Sequence, residues 1–159
     1  MDEEFRVRPA AEHEVAVILG FIRELAEYEH LAHEVVATEE ELRASLFGAR
    51  RYAEVVFGCL NDVPVGFALF FHSYSTFLGR PGLYLEDLYV RPAARGRRVG
   101  LRLLAWLAQT AVERGCGRLE WAVLDWNAAA IAFYLKLGAS LKKTCRVTGT
   151  ALAALAARD

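Results

Sequence analysis

A strand-like segment that leads through a glycine-containing loop into a helix constrains this chain more than any other feature. Leu83 to Val90 has the composition of a strand, and Leu101 to Arg114 has the apolar spacing of a helix. Between them stands Arg95-Gly96-Arg97-Arg98-Val99-Gly100. Glycines let the backbone approach an anion closely, and a helix N-terminus offers free N–H groups and partial positive charge. The segment therefore predicts a backbone site for a phosphate.

Composition restricts what kind of protein carries this loop. With 159 residues, 55% hydrophobic and 25% charged, the chain suits one folded domain over residues 1–159. A formal net charge of −1 argues against binding nucleic acid through global charge, so the positive charge is local to the loop. The acidic start and the absence of a long apolar run predict neither a secretory signal nor a membrane partner, and hence a cytoplasmic protein.

The three cysteines, Cys59, Cys116 and Cys145, are too widely spaced to suggest a disulfide scaffold or a zinc site. They favour small buried thiols in a reducing compartment, and no metal is predicted. The loop also lacks G-x-x-x-x-G-K-[ST], which excludes a nucleotide site of the P-loop type.

Apolar periodicity predicts alternating strands and helices with no internal repeat. The predicted strands are 5–8, 53–60, 63–71, 83–90 and 118–124, and the predicted helices are 13–28, 38–47, 98–114 and 127–137. Asn61-Asp62 predicts a hairpin turn, and residues 74–82 a loop. The tail, 141–157, has an alanine-rich end that favours helix and a segment, 146–148, that favours strand. The pattern is typical of an α/β or α+β domain with a mixed sheet.

Two motifs in the same chain order resemble signatures of the GNAT superfamily of N-acetyltransferases. Arg95 to Gly100 is similar to the acetyl-CoA pyrophosphate loop, R/Q-x-x-G-x-G/A. Asn127 to Ala139 is similar to a second motif, in which Asn opens a helix that an aromatic pair and Gly-Ala close. The resemblance implies a mixed, mostly antiparallel central sheet, splayed in its middle and flanked by helices, with acetyl-CoA as co-substrate. It also implies strands in the tail, so we expect strand there.

Further segments resemble the spermidine/spermine (diamine) and thialysine acetyltransferase subgroup, among them 24–29, 84–90 and Trp126-Asn127. This resemblance implies a homodimer and a small cationic acceptor: a diamine, a polyamine or a thialysine-like amine. The subgroup carries an acidic, tryptophan-containing segment near its C-terminus. Here the corresponding stretch reads Leu141-Lys142-Lys143-Thr144-Cys145, which argues against a polyamine.

The resemblance also assigns site residues. Cofactor contacts are expected at Leu88, Tyr89, Val90, Arg95, Gly96, Arg97, Arg98, Val99, Gly100, Leu101, Asn127, Ala130 and Tyr134. Acceptor contacts are expected at Tyr28, Glu29, Phe77, Glu86 and Asp87. Arg98 stands where the family prefers glycine, and its N–H serves there if its φ is negative.

Acetyl transfer to an amine needs proton removal, because a lysine-like amine has a pKa of about 10 and only its neutral form attacks a thioester. Glu86 is the expected catalytic carboxylate, and Tyr134 the expected acid for the departing thiolate. Neighbouring strand residues point to opposite faces, so Glu86 and Asp87 share a cleft only if the strand bulges.

Two other functions remain open on the sequence. One is acetylation of a protein or peptide amine, and the other is a non-catalytic acetyl-CoA-binding module. Tyr134 at its expected place in the second motif favours an enzyme.

Overall fold

The computed structural model describes residues 3–158, which form two compact units that divide between Ala122 and Val123. The first unit holds β1 (Phe5–Pro9), α1 (Val15–Tyr28), α2 (Glu39–Phe47), β2 (Glu54–Leu60), β3 (Val63–Ser75), β4 (Arg80–Val90), α3 (Val99–Glu113) and β5 (Leu119–Trp121). The second unit holds α4 (Ala128–Lys136) and α5 (Gly149–Ala156).

The sheet of the first unit has the order β1-β2-β3-β4-β5, and its neighbours are antiparallel except for the parallel pair of β4 and β5. The parallel pairing involves only Leu83 to Leu85 of β4, although β4 continues to Val90. Beyond Leu85, the outer edge of β4 therefore has no strand partner within residues 3–158. The predicted mixed, mostly antiparallel sheet is confirmed, and it opens where β4 and β5 part.

Helices cover both faces of this sheet. On one face, the ring of Phe21 from α1 stacks on Phe67 with centroids 5.3 Å apart and meets Tyr89 edge-on at 6.4 Å. On the other face, Trp106 of α3 packs edge-on against Phe70 at 6.0 Å. Because strand side chains alternate between faces, Phe67 and Phe70 point to opposite sides, and the sheet is buried between the two layers.

Local signals of the sequence account for several boundaries. The Thr38 hydroxyl accepts from the Glu41 N–H at 3.2 Å, and the Glu41 carboxylate accepts from the Thr38 N–H at 3.0 Å, which forms the predicted capping box. Asn61 and Asp62 have φ values of 48° and 65°, in the left-handed region that a two-residue hairpin turn requires. Both predictions are confirmed.

Two predicted boundaries are wrong in the sheet. The loop expected over 74–82 is a turn of residues 76–79, because β3 and β4 keep pairing as far as Ser75 and Arg80. The strand expected over 118–124 is limited to Leu119–Trp121, since only that length finds a partner on β4. The sequence does not reveal how far two strands stay paired.

The strand expected in the tail is also wrong. Residues 149–156 form α5, and 141–148 are irregular. Alanine and leucine have the highest helix propensities, and this run contains little else, so local preference decides where no sheet partner is found within the described residues. Of the cysteines, all three are free, but only Cys59 is buried; Cys145 is exposed.

Candidate active site

Strand β4 carries a bulge at the two predicted acceptor carboxylates. Leu69 of β3 faces Asp87, whereas the next residue, Phe70, faces Leu85, so Glu86 is an extra residue on β4. Such a bulge interrupts the strict alternation of side chains between the two faces. The strand thus meets the condition under which Glu86 and Asp87 can share a cleft.

Three carboxylates lie close together at this bulge. Burial and the charges of Glu86 and Glu29 raise the pKa of Asp87 to about 7. Glu29, the residue that directly follows α1, has its own pKa raised by burial and by the charge of Glu86. No side-chain hydrogen bond or ion pair reaches any of the three carboxylates within residues 3–158. We call Glu29, Glu86 and Asp87 the acidic cluster.

The acidic cluster has the properties of a site that handles a cationic amine. Its negative charge attracts a cation, and a carboxylate with a pKa near neutrality can accept a proton and return it. Asp87 is partly buried without a cationic partner, which costs stability and is typical of a functional group. Glu86, the expected catalytic carboxylate, is exposed, whereas its neighbour Asp87 is partly buried.

The open edge of β4 offers backbone groups beside this cluster. The Arg91 N–H donates to the Val65 carbonyl at 2.8 Å, and Val90 faces Gly66. In an antiparallel ladder this register turns the N–H and C=O of Val90 and Leu88 away from β3, and those of Tyr89 towards it. Leu88 and Val90 can therefore hydrogen-bond an extended amide ligand along the open edge, as an added strand would. The backbone of Tyr89 is therefore not available to a ligand at this edge, and its side chain is buried in the core against Phe21.

The glycine-containing loop forms the N-terminus of α3. Arg102 N–H donates to the Arg98 carbonyl at 2.9 Å as the helix begins, and no side chain caps this helix. The N–H groups of Val99, Gly100 and Leu101 in the first turn therefore have no intrahelical acceptors. Gly96 has a φ of 82°, which its lack of a side chain permits. This arrangement fits the predicted anion site.

The arginines around the loop are engaged in different ways. Arg91 pairs with Glu24 at 3.3 Å and lies over the Phe21 ring at 4.4 Å, so it supports the core. Arg97 binds both carboxylate oxygens of Glu3, at 2.5 and 2.6 Å. The side chain of Arg95 turns away from the loop towards Tyr28 and Tyr89, which no sequence signal indicated. Arg98 is exposed.

Arg98 has a φ of 63°, so the condition of a negative φ at this position is not met. It occupies the left-handed region that the family's usual glycine adopts without strain, and a residue with Cβ pays roughly 1 kcal/mol there. We expect Arg98→Gly to increase the free energy of unfolding by about 0.5–1 kcal/mol in chemical denaturation. The matched control is Arg97→Gly. The φ of Arg97 is not positive, and this change removes the ion pair with Glu3. Arg97→Gly should lower the free energy of unfolding. If both changes had the same effect, backbone strain at Arg98 would be contradicted.

The second unit presents the other predicted motif. The Asn127 side-chain oxygen accepts from the Ala130 N–H at 3.3 Å, so Asn127 caps α4 as predicted. The Ala130 N–H is consequently already engaged. Tyr134 is half-buried four residues further along α4, on the same helix face as Ala130, with its ring 5.7 Å from that of Phe133.

The remaining predicted acceptor residues differ in their placement. Tyr28 is the last residue of α1 and directly precedes Glu29 of the acidic cluster. Phe77 is 95% exposed on the turn between β3 and β4. Asp87 lies at least seven residues along β4 from that turn, roughly 20 Å at strand spacing. Within the described chain, Phe77 is therefore not brought to the cluster.

No group of three or more His, Cys, Asp or Glu side chains is arranged to hold a metal ion in residues 3–158. No helix in the same range is both long enough and apolar enough to cross a membrane.

Comparison with known proteins identifies the family. A thialysine N-epsilon-acetyltransferase from Bos taurus is 41% identical over 84% of this chain and 82% of its own length. An L-ornithine N5-acetyltransferase from Arabidopsis thaliana is 34% identical over 94% of this chain and 87% of its own length. An integron cassette protein from the mobile metagenome of V. cholerae matches the fold with a TM-score of 0.80 and 28% identity, over 97% of this chain and 98% of that one. The sequence model of the Acetyltransferase (GNAT) family matches residues 16–139, and the chain therefore belongs to the GNAT family of acetyltransferases.

Proposed function

We propose that this chain transfers the acetyl group of acetyl-CoA to the primary amine of a small cationic acceptor. The observation that carries the proposal is the carboxylate of Asp87, which lies at a bulge with two other acids and has no cationic partner within the described residues. The names of the bovine and Arabidopsis relatives, which specify acetylation of thialysine and L-ornithine, support an acceptor of this size and charge.

Acetyl-CoA supplies an activated thioester, and two parts of the first unit would hold it. The first-turn N–H groups of α3 and the loop from Gly96 to Leu101 bind the pyrophosphate, with Arg98 and Arg97 adding positive charge. The backbone groups of Leu88 and Val90 hold the amides of the pantetheine arm along the open edge of β4. In the second unit, we assign Asn127, Ala130 and Tyr134 to the cofactor side.

Two residues of this chain exchange protons with the reacting groups, Asp87 as the acceptor and Tyr134 as the donor. Asp87 accepts a proton from the bound ammonium group, directly or through water, and Glu29, Glu86 and Tyr28 hold the acceptor in place. The neutral nitrogen then forms its bond to the acetyl carbon, the carbon–sulfur bond breaks, and the nitrogen releases its second proton to solvent to become the amide. Tyr134 donates its phenolic proton to the departing thiolate, and solvent restores both residues.

We further propose that residues 1–159 form one acetyltransferase domain that works in the cytoplasm as a homodimer. The three free cysteines support a reducing compartment. Helices α4 and α5 contain no buried residue, and Trp126, Leu152 and Leu155 are 54%, 53% and 55% exposed, an apolar surface that a second copy could cover. Light scattering after size exclusion should give twice the mass of one chain.

A panel of acceptors tests the proposed reaction. Release of the CoA thiol is measured with putrescine, spermidine, L-lysine, L-ornithine, thialysine and a lysine-containing peptide, and each product is identified by mass spectrometry. We expect acetylation of free small amines and little of the peptide. Preference for the peptide would indicate a protein acetyltransferase, and acetyl-CoA binding in calorimetry without turnover of any amine would indicate a non-catalytic module.

A further inference from the structure

Arg95 is directed at the acceptor side of the first unit. Its guanidinium carbon lies 5.2 Å from the centre of the Tyr28 ring and 5.8 Å from that of Tyr89. Its Nε donates to the Val90 carbonyl at 3.2 Å, on the open edge of β4. Two aromatic contacts and one hydrogen bond fix the orientation of this side chain.

The outer part of the guanidinium remains available. Within residues 3–158, Nη1 and Nη2 of Arg95 have no hydrogen-bond or ion-pair partner, and the side chain is exposed. These two nitrogens form the fork that binds a carboxylate through two parallel hydrogen bonds. Arg97 differs, because its Nη1 already donates to both carboxylate oxygens of Glu3.

The distance from Arg95 to the acidic cluster determines how long an acceptor must be to reach both. Tyr28, under the guanidinium, directly precedes Glu29, and Tyr89 is two residues from Asp87 on β4, about 7 Å along the strand. An amino acid with a terminal amine separates its α-carboxylate from that amine by five or six bonds, about 6–8 Å when extended. A positive and a negative subsite thus lie at a spacing that one such molecule can bridge.

We propose that Arg95 binds the α-carboxylate of an amino-acid acceptor whose terminal amine is held by the acidic cluster. The preferred acceptors are then α-amino acids with a terminal primary amine, in preference to diamines of the same length. This assignment rests on the proposed acetyl transfer and removes the Arg95 side chain from the pyrophosphate site, where the family resemblance had placed it.

Matched acceptors test the assignment. L-ornithine and putrescine, and likewise L-lysine and cadaverine, differ only by the carboxylate. We expect kcat/KM to be at least about 10-fold higher for the amino acid of each pair, as one charge-assisted interaction provides. Arg95→Gln should lower kcat/KM for the amino acids by about 10- to 100-fold and leave the diamines and the KM for acetyl-CoA within about 2-fold. Arg95→Lys keeps the charge but lacks the two-nitrogen fork. Its kcat/KM for the amino acids should lie between those of the wild type and Arg95→Gln.

Arg97→Gln is the matched control from the same loop. It should raise the KM for acetyl-CoA equally with both kinds of acceptor and leave the ratio between them unchanged. Equal kcat/KM for diamines and amino acids in the wild type would overturn the assignment while leaving acetyl transfer intact. So would an Arg95→Gln variant that loses acetyl-CoA affinity but keeps the acceptor ratio. If no acceptor of either kind is acetylated, the proposed function fails, and this assignment fails with it.

Discussion

Asp87→Asn is expected to lower kcat/KM for the amine acceptor by about 100- to 10,000-fold, the range over which a positioned general base contributes. The amide has nearly the shape of the carboxylate but cannot accept the proton of the ammonium group. Coupled assay of CoA release measures the loss. Since the binding groups for acetyl-CoA lie on the loop and the β4 backbone, its dissociation constant should stay within about 2-fold.

The same change is expected to stabilise the fold at neutral and alkaline pH. Asp87 has a pKa of about 7 in the folded chain, against a reference value of 3.8, so folding favours its protonated form. The contribution of Asp87 to the free energy of unfolding is therefore fully present below about pH 4. It is lost as pH rises through about 7. Asp87→Asn removes that loss, and we expect a gain of roughly 2–4 kcal/mol in free energy of unfolding at pH 8 that disappears near pH 4.

Asp62→Asn provides the control for both measurements. Asp62 is an exposed carboxylate in the turn between β2 and β3, where it pairs with Arg6. It does not belong to the acidic cluster. It should leave kcat unchanged and change stability little. An Asp87→Asn enzyme with normal turnover, or with no stabilisation at pH 8, would show that Asp87 is an ordinary solvated carboxylate.

Tyr134→Phe is expected to lower kcat by about 100- to 1,000-fold while acetyl-CoA binds as before. The change removes one hydroxyl and keeps the ring on its face of α4. It therefore removes the proton donor for the thiolate and leaves the packing nearly unchanged. Stopped-flow turnover gives kcat, and isothermal calorimetry gives the dissociation constant of acetyl-CoA. A CoA analogue with a leaving group of lower pKa should restore part of the rate, because that group needs no proton.

Tyr74→Phe is the corresponding control, because Tyr74 is an exposed tyrosine near the end of β3. Its kcat should equal that of the wild type. The role of Tyr134 as acid is contradicted if both tyrosine variants turn over at the wild-type rate.

Much of the fold could be predicted because the relevant information is local. Thr38 with Glu41 defines a helix start, Asn61-Asp62 defines a tight hairpin, and Asn127 caps α4, each through contacts within three residues along the chain. The strand–loop–helix of the phosphate site is equally local. These features survive in any tertiary context that does not oppose them.

The parts that could not be predicted depend on residues distant in sequence. The bulge at Glu86 is a mismatch between the registers of β3 and β4, and the burial of Asp87 follows from it. Arg95 stacks on Tyr28, which is 67 positions away, so nothing near the loop indicates its direction. The family resemblance led to the wrong prediction of strand in the tail. Composition alone favours the helix that forms there.

The dependence of kcat/KM on pH tests the central claim most directly, since this quantity reports the free enzyme and the free amine. For the wild type we expect kcat/KM to rise through about pH 7, as Asp87 ionises, and to fall above about pH 10, where the amine loses its charge. Asp87→Asn should lose the rise near pH 7 and depend on the neutral fraction of the amine, so its low kcat/KM should increase up to about pH 10. An inflection near pH 7 that persists unchanged in Asp87→Asn would contradict the account.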